Sequence, residues 1–291
     1  MMSRKSEPET AILLPAIVKN LKRKYYTTNI FVAHINSVNL FFHFNRHQSQ
    51  LLNRHYSPMD TLIHGTGPVK IIAIHGIQGT NRVWLPLARQ LASHCTFILP
   101  NLPGRGERQS CSESDMTLEA FATVIEDTVH QYINDGQPYI LAGWSMGVSV
   151  ALAFLGRKRA ALPDKLILLS GVPDISQVSW FTQTTPAGLL SEIQEREQRL
   201  KLQDAADHHA VMWTWQSIAQ RSLRDQCQSV TMPCLVMSGA RDEDSPLLLV
   251  TQFSDLIADA TVLTIENAGH SLLTENTDTV SAGVTDFLNL E

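Results

Sequence analysis

Gly143-Trp144-Ser145-Met146-Gly147 constrains this chain more than any other stretch. The apolar run Tyr139-Ile140-Leu141-Ala142 precedes it, and the small or helix-forming residues from Val148 to Leu155 follow. That order is strand, tight turn, helix, with a serine at the apex. A Gly-x-Ser-x-Gly in this context is a nucleophile elbow, which forces the serine onto a strained turn and projects its hydroxyl above a sheet. A side chain at either flanking glycine would clash with the neighbouring strand or helix.

The surrounding pattern supplies that sheet. Val69 to Ile74 is a near-continuous branched-aliphatic run, expected of a strand buried on both faces. Further strands are expected at Phe97-Ile98-Leu99, Leu166-Ile167-Leu168-Leu169, Cys234-Leu235-Val236-Met237 and Val262-Leu263-Thr264-Ile265. A helix opens after Thr117, a residue suited to capping its N-terminus, and runs to about Asn134. Strands alternating with helices predict an α/β fold with a mostly parallel, doubly wound sheet. Upstream, Ile30 to Ile35 and Val38 to Phe44 read as an antiparallel hairpin around Asn36-Ser37. Residues 45–67 are polar and read as a loop ending in His64-Gly65-Thr66-Gly67-Pro68.

The alternation stops between 172 and 230, where the sequence turns helical, charged and tryptophan-bearing. This segment is expected to be an inserted helical cap, with a core of 29–171 and 231–291. Residues 1–28 form an N-terminal appendage whose short basic cluster (Lys19, Lys22, Arg23, Lys24) follows an apolar octet. A surface helix with a solvated face is the expected form, and a membrane or partner anchor the alternative. The octet is too short to span a bilayer, contains a proline and has no cleavage site after it. Four widely spaced cysteines, with no C-x-x-C pair, fit reduced thiols, so a cytoplasmic location is expected. A formal net charge of −5 leaves no electrostatic footprint for nucleic acid.

A serine hydroxyl is a poor nucleophile until a base in hydrogen-bond reach, oriented by a third group, takes its proton. After an elbow the chain order should be serine, acid, histidine. Met237-Ser238-Gly239-Ala240-Arg241-Asp242 ends a strand in a carboxylate, and Asn267-Ala268-Gly269-His270 places a histidine after the last strand. Both fall beyond the carboxyl ends of strands, the edge where ligands gather in open α/β sheets. Ser145, Asp242 and His270 are therefore the candidate catalytic residues, with Asp244 and Glu243 close competitors for the acid and Asp174 a distant one. The oxyanion hole should take one amide from Met146 and one from the loop His75-Gly76-Ile77-Gln78-Gly79-Thr80, with Ile77 the first choice and Gln78 the second. His75 reads as a buried residue holding that loop. Trp144, Trp213 and Trp215 are the candidate substrate-binding side chains, suited to an apolar acyl or aromatic group. His208-His209 and the His43, His47 pair have no acidic or thiolate partner at ligand spacing, so no metal is assigned, and no cofactor is expected.

His75-Gly76, Asn101-Leu102-Pro103-Gly104-Arg105-Gly106, Gly143 to Gly147, Gly239 to Asp242 with Pro246, and Gly269-His270 together resemble the α/β-hydrolase superfamily from about residue 29 onward. Within it the chain looks most like small carboxylesterases of the kind that cleave the pimeloyl-acyl-carrier-protein methyl ester, which also have tryptophan before the nucleophile and a short helical cap. Pro103-Gly104-Arg105 followed by Glu107-Arg108 is also similar to stand-alone thioesterases of polyketide and peptide synthesis. Asn101 stands where many relatives have aspartate. The resemblance implies a serine hydrolase acting on an ester or thioester of a small acyl group, free or borne on an acyl carrier protein. Its fold also hosts C–C bond hydrolases, acyltransferases and lyases, and a ligand sensor with incidental turnover is a further alternative.

Overall fold

The computed structural model describes residues 60–107, 112–157, 161–200, 202 and 204–290, together with the backbone of two strands nearer the N-terminus. Those two, β1 (Ile30–Ile35) and β2 (Val38–His43), pair antiparallel from Ile30 opposite His43 to Ile35 opposite Val38. They fall within one compact unit, residues 1–55, and the other unit is residues 56–291. The expected appendage at 1–28 and its basic cluster lie outside the described residues.

The larger unit is built on a seven-stranded sheet. Its strands are β3 (Thr61–His64), β4 (Val69–Ile74), β5 (Cys95–Pro100), β6 (Ile140–Trp144), β7 (Lys165–Leu169), β8 (Cys234–Gly239) and β9 (Ala260–Ile265). They lie in the order β3-β5-β4-β6-β7-β8-β9, with every neighbouring pair parallel except β3 with β5. β3 corrects the expectation of a loop through residue 67. Thr61-Leu62-Ile63-His64 is too short to show alternation, and at the sheet edge its ladder comes from one neighbour, β5.

The sheet is covered on both faces, which is why its inner strands read as unbroken apolar runs. Ile72, Ile74, Leu141, Leu166, Leu168 and Val236 point into one core, and Ile71, Ala73, Ile140, Ala142, Ile167, Leu169 and Leu235 into the other, following the period of two along each strand. The second core is closed by α1 (Leu85–Gln90). α2 (Leu118–Tyr132) and α3 (Met146–Leu155) cover the first. Thr117 caps α2, its hydroxyl accepting from the Ala120 amide at 3.1 Å. Between β7 and β8 the chain forms α4 (Pro186–Leu200), α5 (His208–Ile218) and α6 (Arg224–Gln228). Leu189, Ile193, Trp215 and Ile218 of these helices join the first core. Two short helices, α7 (Leu247–Val250) and α8 (Gln252–Leu256), precede β9, and α9 (Leu272–Glu275) and α10 (Thr277–Leu288) end the chain on the second face. No helix among the described residues is long and apolar enough to cross a membrane.

Strand order decides where a site can form. From β4 the chain moves outward to β5, then returns past β4 to β6 and continues in the other direction. The loops after β4 and β6 therefore leave the same edge side by side and open a crevice between them. The loop expected to supply an oxyanion amide follows β4, and the elbow follows β6.

Candidate active site

Ser145 sits between β6 and α3 with φ 57° and ψ −123°, a conformation that costs a non-glycine residue on the order of 1–3 kcal/mol. Its neighbours hold it there. The Ser145 amide donates to the Leu169 carbonyl at 2.9 Å. A Cβ on Gly143 would lie 2.4 Å from the Gly147 carbonyl oxygen, and one on Gly147 would lie 2.2 Å from the Ile74 carbonyl oxygen. Strand, turn and helix are thus packed backbone against backbone, and the serine hydroxyl is directed out of the sheet edge.

Two further loops meet it. The His270 ring places Nε2 2.9 Å from Ser145 Oγ and Nδ1 3.0 Å from both Asp242 carboxylate oxygens. A carboxylate can only accept, so Nδ1 is the protonated nitrogen and Nε2 is left as acceptor for the serine hydroxyl. Asp242 has a fully buried side chain, and its Oδ1 accepts the backbone amides of Asp244 (3.0 Å) and Ser245 (2.9 Å), which fix the plane of the carboxylate. Of the competing acids, Glu243 is exposed. Asp174 caps a short turn through Ser176 and Gln177. Asp244 is also at the site, on the opposite edge of the imidazole, with Oδ2 3.8 Å from His270 Nε2. Burial works against its charge, but the hydrogen bonds and charge of Arg196, with the attraction of His270 and Arg199, hold its carboxyl below the ordinary value.

The loop after β4 passes close to the serine, since a Cβ on Gly76 would come 3.2 Å from that of Ser145. His75 is fully buried, accepts the Leu102 amide at Nε2 (3.0 Å) and so carries its proton on Nδ1, 2.8 Å from the Gly76 carbonyl. That bond fixes the carbonyl of the Gly76–Ile77 peptide. In a planar trans peptide the Ile77 N–H then points the opposite way. The Ile77 amide makes no hydrogen bond to any described residue. Met146, at the first position of α3, likewise has no carbonyl one turn back within its helix. Two donors in need of an acceptor are what an oxyanion site requires. The carbonyl side of the loop is tied elsewhere. Arg105 Nη2 donates to Ile77 O at 2.6 Å and reaches Thr214 Oγ1 on α5 at 3.3 Å. Gln78 donates to Ile193 O on α4 at 3.0 Å, and its carbonyl accepts the Ala206 amide at 2.9 Å.

Burial, reinforced by the charge of Arg105, pushes the His75 pKa from 6.5 down to about 3. The unfolded chain therefore binds a proton that the folded one refuses across that interval. Its contribution to stability is fully present above pH 6.5 and is lost as pH falls toward 3, on the order of several kcal/mol. Chemical denaturation of wild type and His75→Asn between pH 7 and 4 checks this. The variant is expected to be less stable at pH 7 and to lose less on acidification.

Trp144 braces two of these loops. Its Nε1 donates to the His270 carbonyl at 3.1 Å, its ring centroid is 5.3 Å from that of His270, and Gly76 and Gly79 approach its ring. The other two candidate tryptophans differ in setting. Trp215 is buried among Trp180 (5.5 Å between ring centroids) and Phe181 (5.7 Å), on the wall of a cavity of about 470 Å³ that Gln183, Gln216 and Gln220 also line. Trp213 is half-buried beside His209. Asn101, the departure from the aspartate of many relatives, accepts the Asn81 amide at Oδ1 (2.7 Å) and donates to Asp60 at 2.8 Å. A carboxylate there could accept the first bond but would face Asp60 with like charge.

Sequence reasoning missed Arg196 and the links of Arg105 and Gln78 to the helical insertion. Each joins segments far apart in the chain, which no local pattern announces. The one local signal for Arg196 is its place on the buried face of α4, at helical spacing after Leu189 and Ile193 where an apolar residue would be expected.

A strained serine elbow at the topological switch of a mostly parallel sheet, with a histidine and an acid delivered by the last two strands, is the architecture of an α/β hydrolase. The chain belongs to the alpha/beta hydrolase family, whose sequence pattern matches residues 62–282. Among its relatives is the pimeloyl-[acyl-carrier protein] methyl ester esterase of Xylella fastidiosa (strain 9a5c), 25% identical over 260 residues, which cover 78% of this chain and 97% of the relative. Its fold is shared by a bromoperoxidase from Bacillus anthracis (TM-score 0.68, 16% identity, 79% of this chain and 94% of that one). A thermophilic esterase from Thermogutta terrifontis is similar too (TM-score 0.65, 21% identity, 81% and 96%).

Proposed function

We propose that this protein is a serine hydrolase that cleaves a carboxylic ester or thioester with an apolar acyl group. The observation that carries the reading is the unbroken chain of hydrogen bonds from Asp242 through His270 to Ser145 at the elbow. In this mechanism Ser145 Oγ attacks the carbonyl carbon while its proton passes to His270 Nε2. Asp242 holds the imidazole in the required tautomer and stabilises the imidazolium. The carbonyl oxygen gains negative charge and is met by the Met146 and Ile77 amides, the latter aimed by His75. Nε2 returns the proton to the leaving oxygen or sulfur, and the acyl-serine remains. Water, deprotonated by the same nitrogen, releases the acid and restores the hydroxyl.

The helical segment 172–230 serves as the cap in this reading, with the aromatic group of Trp180, Phe181 and Trp215 as the surface that measures the acyl chain. Esterase relatives support a small acyl substrate, free or attached to an acyl carrier protein. A panel of p-nitrophenyl esters and acyl thioesters of graded chain length, run on the purified protein, tests it. Turnover should peak at an intermediate acyl length. Failure to hydrolyse any member of the panel would overturn the reading.

A further inference from the structure

Asp244 is a second carboxylate at the reacting imidazole, and the serine chemistry proposed above does not use it. Its Oδ2 lies 3.8 Å from His270 Nε2, the nitrogen that faces Ser145 Oγ. It is held from the far side by Arg196 of α4, with Nη1 2.8 Å from Oδ1 and Nη2 bonded to Oδ2. The Arg196 side chain is only 9% exposed and stacks over Phe181, with the guanidinium carbon 5.7 Å from the ring centroid. Its Nε is buried and has no acceptor among the described residues. Trp180 Nε1 donates to the Asp244 carbonyl at 2.8 Å, so the backbone of this residue is fixed as well. A buried, oriented ion pair therefore stands one carboxylate's width from the point of proton transfer.

We propose that Arg196 and Asp244 are specificity-determining residues that read the charge of the leaving group. The inference rests on the hydrolase reading and deepens it. For Nε2 to return its proton, the leaving oxygen or sulfur must lie within hydrogen-bond reach of it. The leaving group is thus the part of the substrate that comes closest to Asp244. Two charges at such separations, away from bulk water, interact strongly enough to change rates by an order of magnitude or more. Asp244 occupies the seat that an anion would otherwise take on Arg196, and presents the negative end of the pair to the leaving group. An anionic leaving alcohol is repelled, whereas a neutral one, or one with a hydroxyl or amide N–H to donate, is accepted. Rejection here is built as a like charge set against the wrong substrate.

Two butyrate esters of equal shape test this, with 3-carbamoylphenol (neutral) and 3-carboxyphenol (anionic) as leaving groups. The readout is the ratio of kcat/KM for the anionic over the neutral ester, measured on one protein sample so that folding and active fraction cancel. Wild type should favour the neutral ester. Asp244→Asn exposes the guanidinium, and the ratio should rise by about tenfold or more. Arg196→Gln leaves Asp244 uncompensated, and the ratio should fall below wild type. Arg196→Lys keeps the charge, and its ratio should stay nearer wild type than that of Arg196→Gln. Ratios within about twofold of wild type in both Asp244→Asn and Arg196→Gln, or shifts of the opposite sign, would overturn the proposal while leaving the hydrolase reading intact. Absence of turnover of both esters by wild type would remove that reading and this inference with it.

Discussion

Ser145→Ala is expected to reduce ester turnover by ~10⁴-fold or more while leaving the fold unchanged. The size follows from the loss of the covalent route. Without the hydroxyl, His270 has no nucleophile at 2.9 Å to activate, and only the oxyanion donors and binding remain. The fold is expected to survive because the elbow is set by backbone contacts, with the Ser145 amide on Leu169 and the two glycines against Ile74 and each other. Thermal unfolding should give a Tm at or slightly above that of wild type, and kcat/KM should report the loss. A comparable loss accompanied by a collapsed Tm would indicate a structural role for the hydroxyl instead.

Asp242→Asn is the second large effect, on the order of 10⁴ in kcat. Its direction comes from the amides around Asp242. Oδ1 accepts Asp244 N and Ser245 N, so in the variant the amide oxygen keeps that position and the NH₂ takes the place of Oδ2, also 3.0 Å from His270 Nδ1. A donor at that position favours the tautomer in which Nδ1 accepts and the proton sits on Nε2, which then no longer accepts the Ser145 hydroxyl. Asp244→Asn leaves the Nδ1 side untouched and should cost far less on a neutral ester. Steady-state kinetics on the two variants decide between the acids, and the reverse ranking would hand the role to Asp244.

Much of this arrangement is legible in the sequence because each part follows a strand that announces itself. The elbow is flanked by an apolar run and a helix former. The Gly239-to-Asp242 and Gly269-His270 turns end runs of β-branched and aliphatic residues, and the order of elements dictates a common edge. What the sequence left open was the choice among Asp242, Glu243 and Asp244, three acids within one turn. In the structure it is the backbone amides of residues 244 and 245 that bring one of them under Nδ1. β3 stayed hidden because four residues at an edge carry too little pattern. Contacts such as Trp144 with His270, or Arg196 with Asp244, depend on tertiary placement across long separations, and periodicity carries no information about them. Asn101 looks in the sequence like a departure without a cause. Its cause is the neighbouring Asp60, which needs a donor facing it.

The proposed nucleophile is Ser145, activated by His270. A fluorophosphonate carries a leaving group on an electrophilic phosphorus and is attacked only by an activated hydroxyl, so the site of attachment reports the nucleophile directly. The measurement is intact-mass and peptide-mapping analysis after treatment of wild type, Ser145→Ala and His270→Ala. One adduct per chain on Ser145 is expected in wild type, none in Ser145→Ala, and strongly slowed labelling in His270→Ala. An adduct that forms on another residue, or that persists in Ser145→Ala, would rule out Ser145 as the nucleophile.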